Sequence, residues 1–247
     1  MTFNEMYILG VSAQVYEVET VIEEIRDRLR QVFPSQIANW DPDIWINNVK
    51  APVDMNAIDA IAAVKLAQLL GEGSVLPTAF YVCCDLDVKH LIKGIYYGKE
   101  HIRLSLEDLH LCMSGRRALL VENTKVMEAL SEFITQIPSC KSPAACTKAA
   151  SRLHLAAVED GLYAHPRAVD PIVGAWMDET YLNTPGSTPC THCDKGLRVK
   201  FDERRKQAWK RLGKIFEVSN WLGGGDASED EDDGQFTLLP PCCRLCL

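Results

Sequence analysis

Apolar residues at Val18, Val21, Ile22, Ile25, Leu29 and Val32 recur at the three-and-four spacing of one helical face. The opposite face carries Glu23, Glu24, Arg26, Asp27, Arg28 and Arg30, with Glu24 four residues ahead of Arg28 to support the turn, and Pro34 stops the helix. Ile58, Ile61, Ala62, Leu66 and Leu69 predict a second long helix, with Asn56 placed to cap it and Gly71 and Gly73 to end it. The stretch "SVLPTAFYVCCDL" reads as a short, wholly apolar helix buried in the middle of the fold. Ser105 and Asp108 form a capping-box pattern that opens another helix, with Leu106, Leu109 and Met113 on its inner face. Val126, Leu130, Phe133 and Ile134 mark the next. Ser142-Pro143 and Asp170-Pro171 each set a capping side chain before a proline at the first helical position, which puts Cys146 in the first turn of a helix. A last long helix runs from about Leu197 to Phe216.

Little of the chain alternates as a strand would, and no internal repeat is evident. The expected fold is all-α, an irregular multi-helix array. It divides into an opening helical segment over 1–50, a helical core over 51–137, a cysteine-paired helical subdomain over 138–220 and a tail over 221–247. The tail changes character: "GGGDASEDEDDGQ" is a glycine hinge followed by six carboxylates between Asp226 and Asp233, a solvated and disordered composition. The terminal "FTLLPPCCRLCL" is apolar but too short to fold alone.

Net charge narrows the function. With 34 acidic against 26 basic residues the formal charge is -8, which argues against a general nucleic-acid or anionic-membrane binder. No apolar run approaches the ~18 residues of a membrane span, and the start "MTFNEMYILGVSAQ" has no secretory pattern. The expected location is cytoplasmic or nuclear, where the ten cysteines read first as buried thiols or metal ligands.

Two cysteine pairs carry the candidate chemistry. Cys190 and Cys193 form a Cys-x-x-Cys at a loop-to-helix junction, where helix-start N–H groups favour thiolate. Cys140 and Cys146 are more widely spaced but share the order of loop cysteine, then first-turn cysteine. Structural zinc takes four thiolates, usually as two close pairs from separate turns. The segment between the pairs reads as two helices joined by a turn, a hairpin that returns the chain toward its start. The competing readings are fortuitous core thiols and a disulfide. A redox centre would need a neighbouring βαβ pattern, which is absent.

Nothing else points to catalysis. The histidines show no metalloprotease or facial-triad spacing, His192 and His154 being only substitutes for a cysteine at the metal, and no nucleophile elbow, P-loop or dinucleotide fingerprint occurs. The last helix carries Lys195, Arg198, Lys200, Arg204, Arg205, Lys206, Lys210, Arg211 and Lys214. That is either a face for nucleic acid, the alternative function, or a solvated face that meets the acidic tail in cis. Ser228 sits in an acidic context suited to phosphorylation, and Cys242, Cys243 and Cys246 do not form a prenylation box.

Several stretches, in order, resemble the helical C-terminal region of mushroom-type fungal BTB/POZ proteins: "IRDRLRQVFPSQIANWD", "AVKLAQLLGEGSVLPTAFYVCC", "LSLEDLHLCMSGRRALL", the paired-cysteine segments, and "RRKQAWKRLGKIFEV". The likeness covers roughly residues 5 to 218. It implies a BACK-like helical array and a non-enzymatic adaptor that binds a protein partner. Residues 1–50 would be the end of a BTB domain whose α/β body is lacking here. Homodimerisation and docking to a cullin-type ubiquitin-ligase scaffold are implied only through that body.

Overall fold

Why the chain starts as a helix is visible at Thr2 and Glu5. In the computed structural model, which describes residues 1–40, 53–135, 140–164, 166, 170, 172–183, 188–219, 221 and 223, Thr2 Oγ1 accepts from the Glu5 N–H and the Glu5 carboxylate accepts from the Thr2 N–H. This reciprocal capping box satisfies two of the helix-start N–H groups. Helix α1 (Phe3–Val15) then turns through Glu17, at φ 55°, into α2 (Glu19–Val32); of the expected stripe, Ile22, Ile25, Leu29 and Val32 are buried, Val21 is half-buried and Val18, at the N-cap, is exposed. Gly10 brings α1 close to the next layer: a Cβ there would stand 2.8 Å from Leu66 Cδ1. Asn56 and Asp59 cap the 3-10 turn Ala57–Asp59, which leads into α3 (Ala60–Leu69). The apolar helix α4 (Leu76–Asp85) is buried from Pro77 to Cys84, the middle of the fold.

A short α5 (Val88–Lys93) precedes two strands that the sequence pattern did not reveal, β1 (Ile95–Tyr97) and β2 (Glu100–Ile102), paired antiparallel with Tyr96 opposite His101. Gly98, at φ 62°, supplies the left-handed first position of the two-residue turn. Gly94 (φ 72°) is also irreplaceable, because a Cβ would sit 2.2 Å from the Ile102 carbonyl oxygen.

The expected pair of helices after Ser105 is one helix, α6 (Leu106–Thr135), 30 residues long. Its capping box forms as expected: Ser105 Oγ accepts from the Asp108 N–H at 3.0 Å and the Asp108 carboxylate accepts from the Ser105 N–H at 3.1 Å. Its inner face differs, however. Leu106 is 87% and Met113 44% exposed, whereas Asp108, Cys112, Leu119, Glu122, Asn123, Val126 and Leu130 are buried. The first turn points a carboxylate inward because Gln68 and Lys65 of α3 wait for it, at 2.7 and 3.4 Å.

Beyond α6 come α7 (Pro143–Glu159), α8 (Ile172–Asn183), α9 (Thr191–Lys210) and α10 (Leu212–Ile215). The last long helix thus starts six residues earlier than Leu197 and breaks at Arg211. It runs antiparallel to α6: Phe216 lies on Gly115, Arg211 meets Glu122 at 2.9 Å, and Arg204 meets Glu132 at 2.7 Å. One hydrophobic core gathers α1 to α5, the hairpin, the start of α6 and residues Ala208 to Phe216; a second gathers the far halves of α6 and α9 with α7 and Met177 of α8. At the first core Tyr81, Trp40, Trp209 and Trp221 touch in series, with ring centroids 5.6, 5.6 and 5.8 Å apart. Among the described residues no helix is long and apolar enough to cross a membrane. Pro42, Pro52, Pro171, the acidic run from Asp226, Ser228 and Cys242, Cys243 and Cys246 lie outside the described residues, as do the side chains of Phe133 and Ile134.

Candidate metal centre

Three helix ends meet at the far end of the second core. Cys140 follows the end of α6, and Cys146 lies in the first turn of α7, where Pro143 takes a position that needs no N–H. Small buried residues along α7, Ala149, Ala150 and Ala157, let it lie close on α6. Gly161 (φ 68°) ends it, the turn Leu162–Ala164 follows, and Asn123 of α6 pins that turn by donating to the Leu162 carbonyl at 2.6 Å. Helix α8 brings the chain back, its Met177 buried and its Trp176 indole N–H donating to Asp160 at 2.7 Å. Cys190 is then the extended N-cap residue of α9, and Cys193 occupies its first turn.

The four sulfurs of Cys140, Cys146, Cys190 and Cys193 lie within 4.8 Å of one another. A tetrahedral zinc with bonds of about 2.3 Å places its sulfurs about 3.8 Å apart, so a small contraction closes the site. Cys146 and Cys193 are buried, while Cys140 and Cys190 are half-buried. Among the described residues no histidine joins the cluster. His154 instead shares a 2.9 Å hydrogen bond with the Tyr163 hydroxyl, and His192 is exposed.

The surroundings favour negative sulfur. The Ser142 N–H donates to Cys140 Sγ at 3.3 Å, so the expected side-chain cap at Ser142 is replaced by a main-chain bond to the thiol. The Cys190 N–H donates to Cys146 Sγ at 3.3 Å. The Cys193 N–H, then its thiol, hold Cys190 down to about 7. Burial pushes Cys146 and Cys193 up. Four thiolates with no vacant position can do one thing well: bind a soft, tetrahedral cation without presenting it to a substrate.

The basic helix is largely neutralised by the fold itself. Arg198 meets Asp178 and Asp194, Lys200 and Arg204 meet Glu132, Arg205 and Lys206 meet Asp202, and Arg211 meets Glu122. Six of the nine cations named from the sequence therefore have carboxylates within the described residues.

A separate thiol trio escaped sequence reasoning: Cys83, Cys84 and Cys112 are all 0% exposed in the first core, with Cys84 Sγ donating to the Cys112 carbonyl at 3.3 Å. Burial holds Cys83 in the thiol form, and the contact with Cys112 followed by burial does so for Cys84. The spacing of "CC" and a lone cysteine 28 positions on carries no signal from which this could be read. Comparison of the chain with known protein families, curated proteins and solved structures finds no match in any of the three.

Proposed function

We propose that this protein is a non-enzymatic helical interaction module, an adaptor of the BTB-associated type, whose far end is closed by one structural zinc on Cys140, Cys146, Cys190 and Cys193. The observation that carries the metal is the convergence of four sulfurs from three helix ends with two main-chain N–H groups aimed at them. Such N–H donors offset the negative charge that four thiolates place around a divalent ion. The adaptor reading draws support from α1, whose outer side exposes Ile8, Leu9, Val15 and Tyr16 at 49, 45, 71 and 79%. Apolar side chains at that exposure suit a helix that adjoins another protein element, such as a BTB body.

The test is metal analysis of the chain purified under reducing conditions. About one zinc per chain is expected, lost in Cys190→Ser and Cys193→Ser. At free zinc a thousandfold above Kd, linkage supplies about 4 kcal/mol, about 8–16 °C of Tm for a chain of this size. Zinc-free protein with the same Tm as the parent would overturn the reading. The alternative, a zinc-containing nucleic-acid or chromatin protein reading through residues 195–214, predicts affinity that falls steeply with salt and vanishes on reversing Arg204, Arg205 and Lys206. The ion pairs already made by those three side chains weigh against it.

A further inference from the structure

Unpaired positive charge also gathers on α5 and the hairpin, away from the basic helix. Between Val88 and Arg103 the sequence holds Lys89, Lys93, Lys99 and Arg103, with His90 and His101, against Glu100 alone. All six basic side chains are exposed, and none forms an ion pair among the described residues. Strand alternation turns Ile95, Tyr97 and Ile102 inward and Tyr96 and His101 outward, where the two rings stack at 4.2 Å. The one carboxylate is drawn to the inner side, accepting from the Tyr7 hydroxyl at 3.3 Å. The exposed surface of α5 and the hairpin therefore combines four permanent cations with Tyr96, 65% exposed, and Ile92, 60% exposed.

We propose that this face is the docking site for the chain's own C-terminal segment from Asp226 to Leu239, bound in cis. The segment carries the complement of both characters: six carboxylates from Asp226 to Asp233, then Phe236, Leu238 and Leu239. A polyphosphate strand would meet the cations but offers no aliphatic partner to Ile92. The basic helix is the poorer docking site, because six of its nine cations are already held by Glu122, Glu132, Asp178, Asp194 and Asp202. The last described residue before the segment is Gly223, beside the Ser35 carbonyl and the Trp221 ring. From Gly223, the ten residues to Asp233 span up to about 35 Å.

The test is hydrogen–deuterium exchange on the full chain, which does not depend on the cysteine site. At about 0.1 M salt, residues 226–239 and 88–103 are expected to be protected together, and at about 1 M, where the screening length falls from about 10 to about 3 Å, both lose protection. Full-length K89Q/K93Q/K99Q/R103Q, unchanged in circular dichroism, is expected to exchange at least about tenfold faster over 226–239. A second variant, with the six carboxylates changed to amides, is expected to deprotect 88–103. Coil-like exchange of 226–239 in the parent overturns the proposal, as does protection that survives the hairpin substitutions. Protection that fades on dilution overturns docking in cis in favour of a second copy, and salt-sensitive oligonucleotide binding by the intact chain through these four cations overturns the choice of occupant.

Discussion

The backbone N–H of Cys190 donates to the sulfur of Cys146 across 3.3 Å, joining residues 44 positions apart. Helix starts leave N–H groups without intrahelical partners, and here one of them is spent on a thiol rather than on a capping oxygen. Both cysteine pairs thereby share one environment, in which main-chain N–H groups are aimed at sulfur.

Zinc retention is expected to fall with pH, since each ligand thiol must lose its proton to bind and protons therefore compete with the ion. Affinity rises as pH rises. A chelator competition read from about pH 7.5 to about pH 5.5 should show zinc held at the upper end and released at the lower. A zinc content indifferent to pH over that range would point to ligands other than these thiols.

Thiol alkylation followed by peptide mapping should sort the cysteines by environment. Cys83, Cys84 and Cys112, at 0% exposure, are expected to stay unmodified until the chain unfolds. Cys140 and Cys190, half-buried, are expected to react in the metal-free chain and to be protected when zinc is added. Equal labelling of Cys190 with and without zinc would contradict ligation.

Asp108 supplies a pH signature for the α3–α6 contact. Burial alone would raise its pKa, but the hydrogen bonds from Ser105 and Gln68, with Lys65 nearby, outweigh it and hold the carboxyl below the ordinary range. A depressed folded-state pKa means its stabilisation is present above the unfolded value near pH 3.9 and is lost as pH falls through the folded one. Asp108→Asn is expected to cost about 1.5–3 kcal/mol at neutral pH. Urea titrations at descending pH should show the gap to the parent closing below about pH 4.

Gly115→Ala should destabilise, although alanine is the better helix former by about 1 kcal/mol. The added Cβ would lie 2.3 Å from a ring carbon of Phe216, which is itself fixed against Phe80. Overpacking of about 1–3 kcal/mol outweighs the propensity gain. A denaturation midpoint at or above that of the parent would show that the ring can move aside.

What could be read from the sequence followed solvent exposure. The stripe of α2 was plain because its other face carries Glu23, Glu24, Asp27 and Arg30 into water, and the buried α4 was plain because nothing charged interrupts Pro77 to Cys84. The inner face of α6 was not, because that helix buries Asp108, Glu122 and Asn123 against specific partners and leaves Leu106 and Met113 outside, reversing the usual pattern. Three-residue strands are too short for alternation to stand out, so the hairpin was missed with the cations it displays. The four cysteines were legible as two pairs, each at or just before a helix start. Their mutual distance was not, since it depends on Asn123 and Gly161 turning the chain between α7 and α8.

Helix α6, about 45 Å long at 1.5 Å per residue, and its antiparallel companion α9 each belong to both cores. Neither core can melt without fraying two helices that the other also needs, so the chain is expected to lose its order in one concerted step. The indole of Trp209, packed between Trp40 and Trp221 at one extremity, then becomes a distant witness to the thiols at the other, and its emission should shift when the cysteine knot is undone.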